Sequence, residues 1–320
     1  MGRTPVCYAC GMADESRVRA LRRPRESSLR NMRNSPDIIT SRENQWLKAF
    51  RAALRGTGPG SGEPIGIEGP KIIQEAIHSS CEIQALLVSE AAEEGARRIL
   101  EFARNSETGI ARSGILRTTE KLFATVAGTE TPQGVAALVR QPEWSFDDIL
   151  RGRAAANGAF RANAALVVVL DGLQDPGNVG TILRSAEAFG ATGAVAARGT
   201  ADPWSPKAIR ASAGSALRLP LLRGIAIPVL MTQFRVVPLR VYAATSRANQ
   251  AQEAKAMPGA DLNQPCAIFV GNEGAGLSPE IERAADARIS IPVDDAVESL
   301  NAGVAASIIL YEAARQRETA

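Results

Sequence analysis

The sequence predicts an α/β protein built on a parallel sheet, and three patterns lead to that fold class. Residues 165–170 form an uninterrupted apolar run, which is typical of a strand buried on both faces of a parallel sheet. A second apolar run, residues 267–270, enters a glycine-rich loop and then a helix pattern. Upstream, strand and helix patterns alternate between residues 65 and 139. This alternation indicates a second, smaller sheet that carries helices.

Length and composition agree with two domains. The chain has 320 residues, enough for two separate cores, and only 4% of them are aromatic, so Leu, Val, Ile and Ala must fill those cores. No apolar run is long enough to span a bilayer and no signal peptide is visible. We therefore expect a cytoplasmic protein with no membrane partner.

The basic charge is concentrated at one end of the chain. Residues 1–60 hold 12 of the 37 Lys and Arg residues but only 5 of the 34 Asp and Glu residues. A basic segment of this kind favours an RNA backbone as partner, although a disordered arginine-rich leader has the same composition.

The patterns divide the chain into four parts. These are a basic leader predicted to be disordered (1–35), a small α/β domain (36–140), a linker or connecting helix (141–164) and a second α/β domain (165–318). Within the first domain we predict a helix from Lys71 to Ser79, a strand at 85–88, a helix at about 91–104 and a strand at 134–139.

Cysteine and histidine are too few for a metal site. Cys7 and Cys10 have the spacing of metal ligands, but no second pair exists. Cys81 and Cys266 are isolated, and His78 is the only histidine. We expect no metal, and four free thiols fit a reducing compartment.

The first motif follows the apolar run at 165–170. An Asp-Pro-Gly-Asn turn at 175–178 leads into a helix that ends at Gly190, with Arg184 expected in its first turns. A cation there is disfavoured by the helix dipole. Arg184 therefore either binds an external anion such as a phosphate or pairs on the surface with Glu187.

The second motif is the glycine-rich loop after the strand at 267–270. Gly271 leaves room for a planar ligand against the backbone, and Glu273 places one carboxylate in the loop. Ser278 and Pro279 are expected to start the next helix as N-cap and first residue. A plain strand-to-helix turn fits the same pattern. The loop is neither a phosphate-binding P-loop nor a dinucleotide fingerprint.

The third motif spans residues 291–312. Pro292 stops a short strand, and Glu298, Ser299 and Asn301 then open a helix rich in small residues. Polar side chains beside free backbone N–H groups suit a polar or anionic ligand. The alternative is a buried Ala-rich helix in which Ser299 is an ordinary N-cap.

Together and in this order, the three motifs resemble those of the SpoU–TrmH family of RNA ribose 2′-O-methyltransferases, in the SPOUT superfamily. The resemblance covers roughly residues 165–318 and includes residues 205–215, which are similar to the middle segment of the family. The first domain resembles the RNA substrate-binding domain of the family, which has a ribosomal-protein-like fold. Residues 68–70 and 131–134 carry that part of the likeness.

The resemblance implies a fold, a cofactor and partners. The second domain should contain a deep trefoil knot, bind S-adenosylmethionine in the knot and form a homodimer through it, with each active site drawing on both subunits. The implied reaction is 2′-O-methylation of a ribose in structured RNA, with rRNA favoured over tRNA.

The resemblance also implies the roles of individual residues. The catalytic residues would be Arg184, Asn178, Glu273, Ser299 and Asn301. Cofactor would be bound by Gly271, Ile291, Leu300, Asn301, Val270 and Pro292, mainly through backbone groups. Because a guanidinium keeps its proton, we expect Arg184 to hold a phosphate and stabilise negative charge on the 2′-oxygen.

The sequence departs from the family motif at the two residues after Asn301. The family often has Val-Ser after this Asn, where this chain has Ala302 and Gly303. The smaller side chains should preserve close packing but remove a hydroxyl.

Three other functions remain open. The chain could be a catalytically inactive RNA-binding protein of the same fold, but its five catalytic-type residues are intact. It could be a base-modifying SPOUT methyltransferase, but the Asn-x-Gly-x-x-x-Arg pattern at 178–184 favours ribose. A nucleotide-dependent oxidoreductase is a distant alternative because no dinucleotide fingerprint is present.

Overall fold

The computed structural model describes most of the chain. The described residues are 38–56, 62–104, 114–151, 165–237, 239–245, 255–256, 259–294 and 296–318. The leader predicted to be disordered and the Cys7–Cys10 spacing lie outside them. No helix among these ranges is long and apolar enough to cross a bilayer.

The first domain is a four-stranded sheet between two layers of helices. Its strands are β1 (Ile65–Glu68), β2 (Ile83–Ser89), β3 (Gly114–Thr118) and β4 (Val135–Val139). Its helices are α1 (Gln45–Arg55), α2 (Pro70–His78), α3 (Glu93–Arg104) and α4 (Glu120–Val126), with a short 3₁₀ turn at Glu90–Ala92. The strand order is β1-β4-β2-β3, and only the β2–β3 pair is parallel. The predicted helices and strands of this domain are confirmed within a few residues.

Successive side chains of each strand point to opposite faces of the sheet, and each face packs against one of the two helix layers. Leu87 of β2 packs with Phe50 of α1 and Phe123 of α4 on one face, whereas Leu86 packs with residues of α2 and α3 on the other. At Gly66 of β1 the helix α1 approaches very closely, because a Cβ there would lie 2.6 Å from the Ala53 backbone. The position of α1 therefore depends on this glycine.

The second domain is a seven-stranded parallel sheet. Its strands are β5 (Leu166–Asp171), β6 (Gly193–Ala197), β7 (Leu221–Ile225), β8 (Arg240–Ala244), β9 (Lys255–Ala256), β10 (Cys266–Gly271) and β11 (Ala287–Ser290). The helices that accompany it are α5 (Phe146–Arg151), α6 (Pro176–Ala188), α7 (Pro206–Ala211), α8 (Ser215–Arg218), α9 (Ile227–Val236), α10 (Pro279–Ala284) and α11 (Ala302–Glu318).

Strand order places the two apolar runs side by side. The order is β7-β6-β5-β10-β8-β11-β9, and every pair is parallel. Strand β10 lies next to β5, with Cys266 opposite Leu166 and Gly271 opposite Asp171. The α/β class with a parallel sheet is thus confirmed, and the carboxyl ends of these strands meet at one edge. The trefoil knot stays a prediction.

Part of the predicted linker is a helix of the second domain. Helix α5 places Ile149 in the core beneath β5 and β6. A Cβ at Gly193 would lie 2.8 Å from the Ile149 Cα, so the helix packs directly on the strand backbone. Residues 152–164 lie outside the described part.

Both described cysteines are buried thiols. Cys81 contacts the Leu217 carbonyl, and Cys266 lies in the centre of the sheet. Burial raises the pKa of the Cys266 thiol to about 11. No described group of His, Cys, Asp and Glu side chains is arranged to hold a metal ion.

An arginine joins the two domains. Arg218 of α8 donates to both oxygens of Glu187 in α6, at 2.7 and 2.8 Å, and to Glu75 of α2 at 2.6 Å. About a quarter of its side chain is exposed, and the Glu187 hydrogen bonds raise its pKa. Charge-assisted, bidentate pairs of this kind are stronger than exposed ion pairs.

We predict that Arg218→Ala lowers the free energy of unfolding by about 1–3 kcal/mol, because it leaves two carboxylates without their counter-charge in a partly buried contact. Urea denaturation followed by circular dichroism measures this change. The matched control is Arg98→Ala, whose side chain is 75% exposed. It should change stability by less than about 0.5 kcal/mol, and equal effects of the two changes would contradict the prediction.

Candidate active site

The loop after β10 is organised by an asparagine. The Asn272 Oδ1 accepts from the Gly274 and Ala275 N–H groups at 2.9 Å, and its Nδ2 donates to the Gly172 carbonyl. The Asn272 backbone also pairs with Gly276 in both directions. One side chain thus closes the loop and ties it to the neighbouring strand β5.

Gly271 serves the packing of this loop. A Cβ on Gly271 would lie 2.5 Å from backbone atoms of Gly276 and Leu277. The returning loop therefore fills the space on the Cβ side of Gly271. Gly271 also lines the cleft, and the contact of a planar ligand with its backbone stays a prediction. Ser278 stands at the N-cap position of α10, but its hydroxyl makes no capping bond. Its N–H instead donates to the buried Asp171 carboxylate at 2.9 Å.

Helix α6 begins earlier than the turn pattern suggested. Asp175 is its N-cap, with Oδ1 accepting from the Gly177 N–H, and Pro176 is its first residue. The Asp-Pro-Gly-Asn segment is therefore the start of the helix rather than a turn before it. Arg184 is the ninth helical residue, so the prediction that it lies in the first turns is wrong, and so is the helix-dipole argument.

The start of helix α11 differs from the expected cap. The Asn301 Oδ1 accepts from the Gly303 N–H at 2.9 Å and from the Val304 N–H at 3.3 Å. Asn301 is therefore the N-cap, and Ser299 lies in the preceding loop and makes no such bond. The alternative in which Ser299 caps the helix is wrong.

Three of the predicted catalytic residues form one hydrogen-bonded chain. The Asn178 Nδ2 donates to Glu273 Oε1 at 2.5 Å, and the Asn301 Nδ2 donates to Asn178 Oδ1 at 3.0 Å. These side chains come from α6, the β10–α10 loop and the start of α11. Because Asn301 also caps α11, these hydrogen bonds connect α6, the β10–α10 loop and α11 to one another.

A cleft of about 240 Å³ opens beside this hydrogen-bonded chain. Its wall contains four of the six residues predicted to bind cofactor: Val270, Gly271, Ile291 and Leu300. The other two, Pro292 and Asn301, do not line it.

Carboxylates surround the cleft. Glu273, Glu282 and Glu298 contribute to its lining, together with Ser299 and apolar side chains such as Ile309. Among the residues that the structure describes, no Lys or Arg side chain contributes to this lining. The arrangement favours a ligand that has an apolar body and carries positive charge.

Arg184 is not part of the cleft. Its side chain is exposed on α6 and makes no ion pair with any residue in the described ranges. The pairing with Glu187 that the sequence left open is not seen: in the described structure the ion pair of that carboxylate is with Arg218. In the described structure the side chains of Asn178 and Glu273 bond to each other rather than to Arg184.

Helices α6 and α11 pack closely beside the cleft. The Ser185 and Ser307 hydroxyls lie 2.7 Å apart, and a Cβ on Gly303 would be 3.2 Å from Thr181. The small residues of α11 therefore allow a close contact with α6, as expected from the sequence. Val304 and Tyr311, on the same helix, are 47% and 55% exposed.

Sequence reasoning missed two residues that hold the site together. Asn272 follows Gly271 directly, and an Asx residue in a glycine-rich loop is a signal for local side-chain caps. Lys207 was assigned no role, yet it pairs with the exposed Asp175 at the start of α6. This hydrogen bond lowers the pKa of Asp175. Lys207 is 32 residues away in sequence, so spacing gave no sign of the contact.

The fold and cleft define an RNA methyltransferase of the SPOUT type, preceded by a substrate-binding domain. Residues 165–311 match the SpoU rRNA methylase family model, and residues 64–137 match the MRM3-like substrate binding domain. The chain belongs to the SpoU rRNA methylase family, as the sequence motifs predicted.

Relatives and solved structures agree along nearly the whole chain. The 23S rRNA (guanosine(2553)-2′-O)-methyltransferase RlmP of Bacillus subtilis is 30% identical, over 85% of this chain and 97% of that protein. The SpoU methyltransferase AviRb of Streptomyces viridochromogenes, solved with AdoMet, is 28% identical with a TM-score of 0.71, covering 87% of this chain and all of that one. An AdoMet-bound rRNA methyltransferase of Sinorhizobium meliloti is 26% identical with a TM-score of 0.71, covering 87% and 97%.

We predict that Gly271→Ala destabilises the protein by about 1–3 kcal/mol, because the new methyl group would overlap the Gly276 backbone and displace the loop. Urea denaturation measures the loss, and hydrogen exchange at the Gly276 amide reports the displaced loop. Gly274→Ala is the matched control, since the nearest atom to its Cβ position is 3.6 Å away. Equal stability of the two variants would show that Gly271 has no packing role.

Proposed function

We propose that the protein transfers a methyl group from S-adenosylmethionine to a ribose 2′-hydroxyl of structured RNA, with rRNA favoured over tRNA. The observation that carries this proposal is the hydrogen-bonded chain Glu273–Asn178–Asn301 beside an acidic, partly apolar cleft. The named 2′-O-methyltransferase relative supports the reaction, and its 23S substrate supports rRNA. Because rRNA is the proposed substrate, the proposed location is the cytoplasm.

The residues of the cleft fit the proposed cofactor. S-adenosylmethionine has a flat purine, a sulfonium and an ammonium, and it supplies an electrophilic methyl group. Val270, Leu277 and Ile309 offer apolar surface, and the backbone at Gly271, Ile291 and Leu300 offers hydrogen-bond partners. Three carboxylates around the cleft favour the cationic groups. Solved relatives that hold AdoMet support the same assignment.

In this proposal Arg184 acts on the RNA. A guanidinium is a poor proton acceptor but holds a phosphate in a fixed geometry. It would bind the phosphate next to the reacting ribose and stabilise negative charge on the 2′-oxygen as the hydroxyl proton passes to water. Asn178, Glu273, Asn301 and Ser299 would orient the ribose at the mouth of the cleft.

The position of Arg184 supports a homodimer. Arg184 does not line the cleft of its own chain, and we propose that a second copy presents it. Val304, Ile308 and Tyr311 follow one another on α11 at positions i, i+4 and i+7, and two of the three are largely exposed. An exposed apolar stripe next to α6 suits a self-complementary contact. We propose that residues 165–318 form the dimeric catalytic domain and residues 36–140 the RNA-binding domain.

The reaction is tested by tritium transfer from labelled S-adenosylmethionine to RNA of a strain lacking the protein, with methylated nucleotides mapped by mass spectrometry. A single ribose-methylated nucleotide is expected. We predict that Arg184→Ala lowers the transfer rate by about 100-fold or more while the cofactor affinity in a titration changes little. Arg235→Ala, an exposed arginine on α9, is the control and should keep the full rate. A near-normal rate for Arg184→Ala would disprove the assignment.

The dimer has its own test. We predict that Tyr311→Glu converts the protein to monomers and lowers the transfer rate, because a charge would be buried in the contact between copies. Light scattering after size-exclusion chromatography measures the mass. Val236→Glu on α9 is the control, since Val236 is 78% exposed and lies on another helix. A dimeric Tyr311→Glu variant would argue against this interface.

A further inference from the structure

Helix α1 carries a row of basic side chains that the proposed reaction does not use. Lys48, Arg51 and Arg55 occupy positions i, i+3 and i+7, so they share one side of the helix. The core residues Leu47, Phe50 and Leu54 point to a different side. The row covers about 10 Å along the axis.

Neither of the two arginines in the row pairs with a described carboxylate. The Arg51 Nε and the Arg55 Nη2 both donate to the Thr125 carbonyl at 3.4 Å, and neither forms an ion pair with any described carboxylate. Lys48 alone is paired, with the exposed Glu43. The bonds to the shared carbonyl are long and leave the remaining guanidinium donors available, although the negative charge of Glu43 acts on Arg51.

The row continues onto the catalytic domain. Gly56 ends α1 in a left-handed conformation, and a Cβ there would lie 2.9 Å from the Pro206 ring. Pro206 starts α7, whose exposed side carries Lys207 and Arg210, one turn apart. The five basic side chains therefore lie on two helices whose ends meet at the domain junction.

This row leads to the proposed site. Lys207 pairs with Asp175, the N-cap of α6, and its Cε lies 3.4 Å from the Cβ position of Gly177. The next residue is Asn178, which belongs to the hydrogen-bonded chain at the cleft. Arg210 forms no ion pair in the described structure.

We propose that Lys48, Arg51, Arg55, Lys207 and Arg210 form a basic track that binds the phosphate backbone of the substrate RNA and guides it to the site. The proposal rests on the proposed function, because it names the surface that the RNA would use. Arginine-rich rows suit phosphates, since each guanidinium can donate two parallel hydrogen bonds. Close packing of α1 at Gly66 and Gly56 keeps the track rigid before the RNA arrives.

The test uses the full-length protein and in vitro transcribed 23S rRNA in filter binding over a series of KCl concentrations. Arg51→Gln with Arg55→Gln should weaken binding about tenfold at about 0.1 M KCl and lower the slope of log affinity against log salt by about 1.5. In the transfer assay the KM for RNA should rise while kcat is kept. Arg97→Gln with Arg98→Gln, on α3 across the sheet, is the matched control and should bind as the unchanged protein does.

A conservative variant separates charge from local structure. Arg51→Lys with Arg55→Lys should keep most of the salt dependence, because both charges remain. The track is disproved if the Gln variant binds RNA with unchanged affinity and slope, if the Lys variant loses as much as the Gln variant, or if the unchanged protein does not bind this RNA. Failure of the proposed function looks different: RNA binding still depends on Arg51 and Arg55, but no methyl group is transferred.

Discussion

The hydrogen-bonded chain from Glu273 through Asn178 to Asn301 is the constraint on which the site depends. It joins residues separated by up to 123 positions in sequence, and each belongs to a different loop or helix start. The side-chain oxygen of Asn301 caps α11. The Asn301 amide therefore sets the start of a helix with its oxygen and the mouth of the cleft with its nitrogen. A small movement of α6 would be transmitted to both.

Backbone contacts set the distances between the strands and helices that carry these three residues. Parallel pairing of β5 and β10 brings Asp171 next to Gly271, and the Asp171 carboxylate then anchors the loop at Ser278. Glycines occupy the tightest crossings. At Gly180, for example, a Cβ would lie 2.3 Å from the Ala208 carbonyl oxygen, so α6 and α7 touch through their backbones. Such contacts leave the helices and strands little freedom to move. The polar side chains at the sheet edge are therefore held in fixed positions.

The sequence predicted what depends on local pattern. Apolar runs located β5 and β10, whereas the family resemblance, not local pattern, assigned Asn178, Glu273 and Asn301 to one site. Local geometry was less predictable. The Asp-Pro-Gly-Asn segment fits a turn or a capped helix start equally well, and the second places Arg184 in the third turn of α6 rather than in its first turns. Ser299 and Asn301 are both good cap residues. Contacts such as Arg218 with Glu75, 143 residues apart, have no signal in one sequence.

The neighbouring position of β5 and β10 has a consequence for how the protein is made. About 100 residues separate the two central strands, so the middle of the sheet cannot close while the chain between them is still being synthesised. Contacts of this kind slow folding, because a long loop must be ordered before its pairing stabilises anything. During that interval β5 has an open edge and exposes Val167–Val169 to other nascent chains. Aggregation during synthesis, rather than unfolding of the finished molecule, is therefore the hazard that this strand order creates.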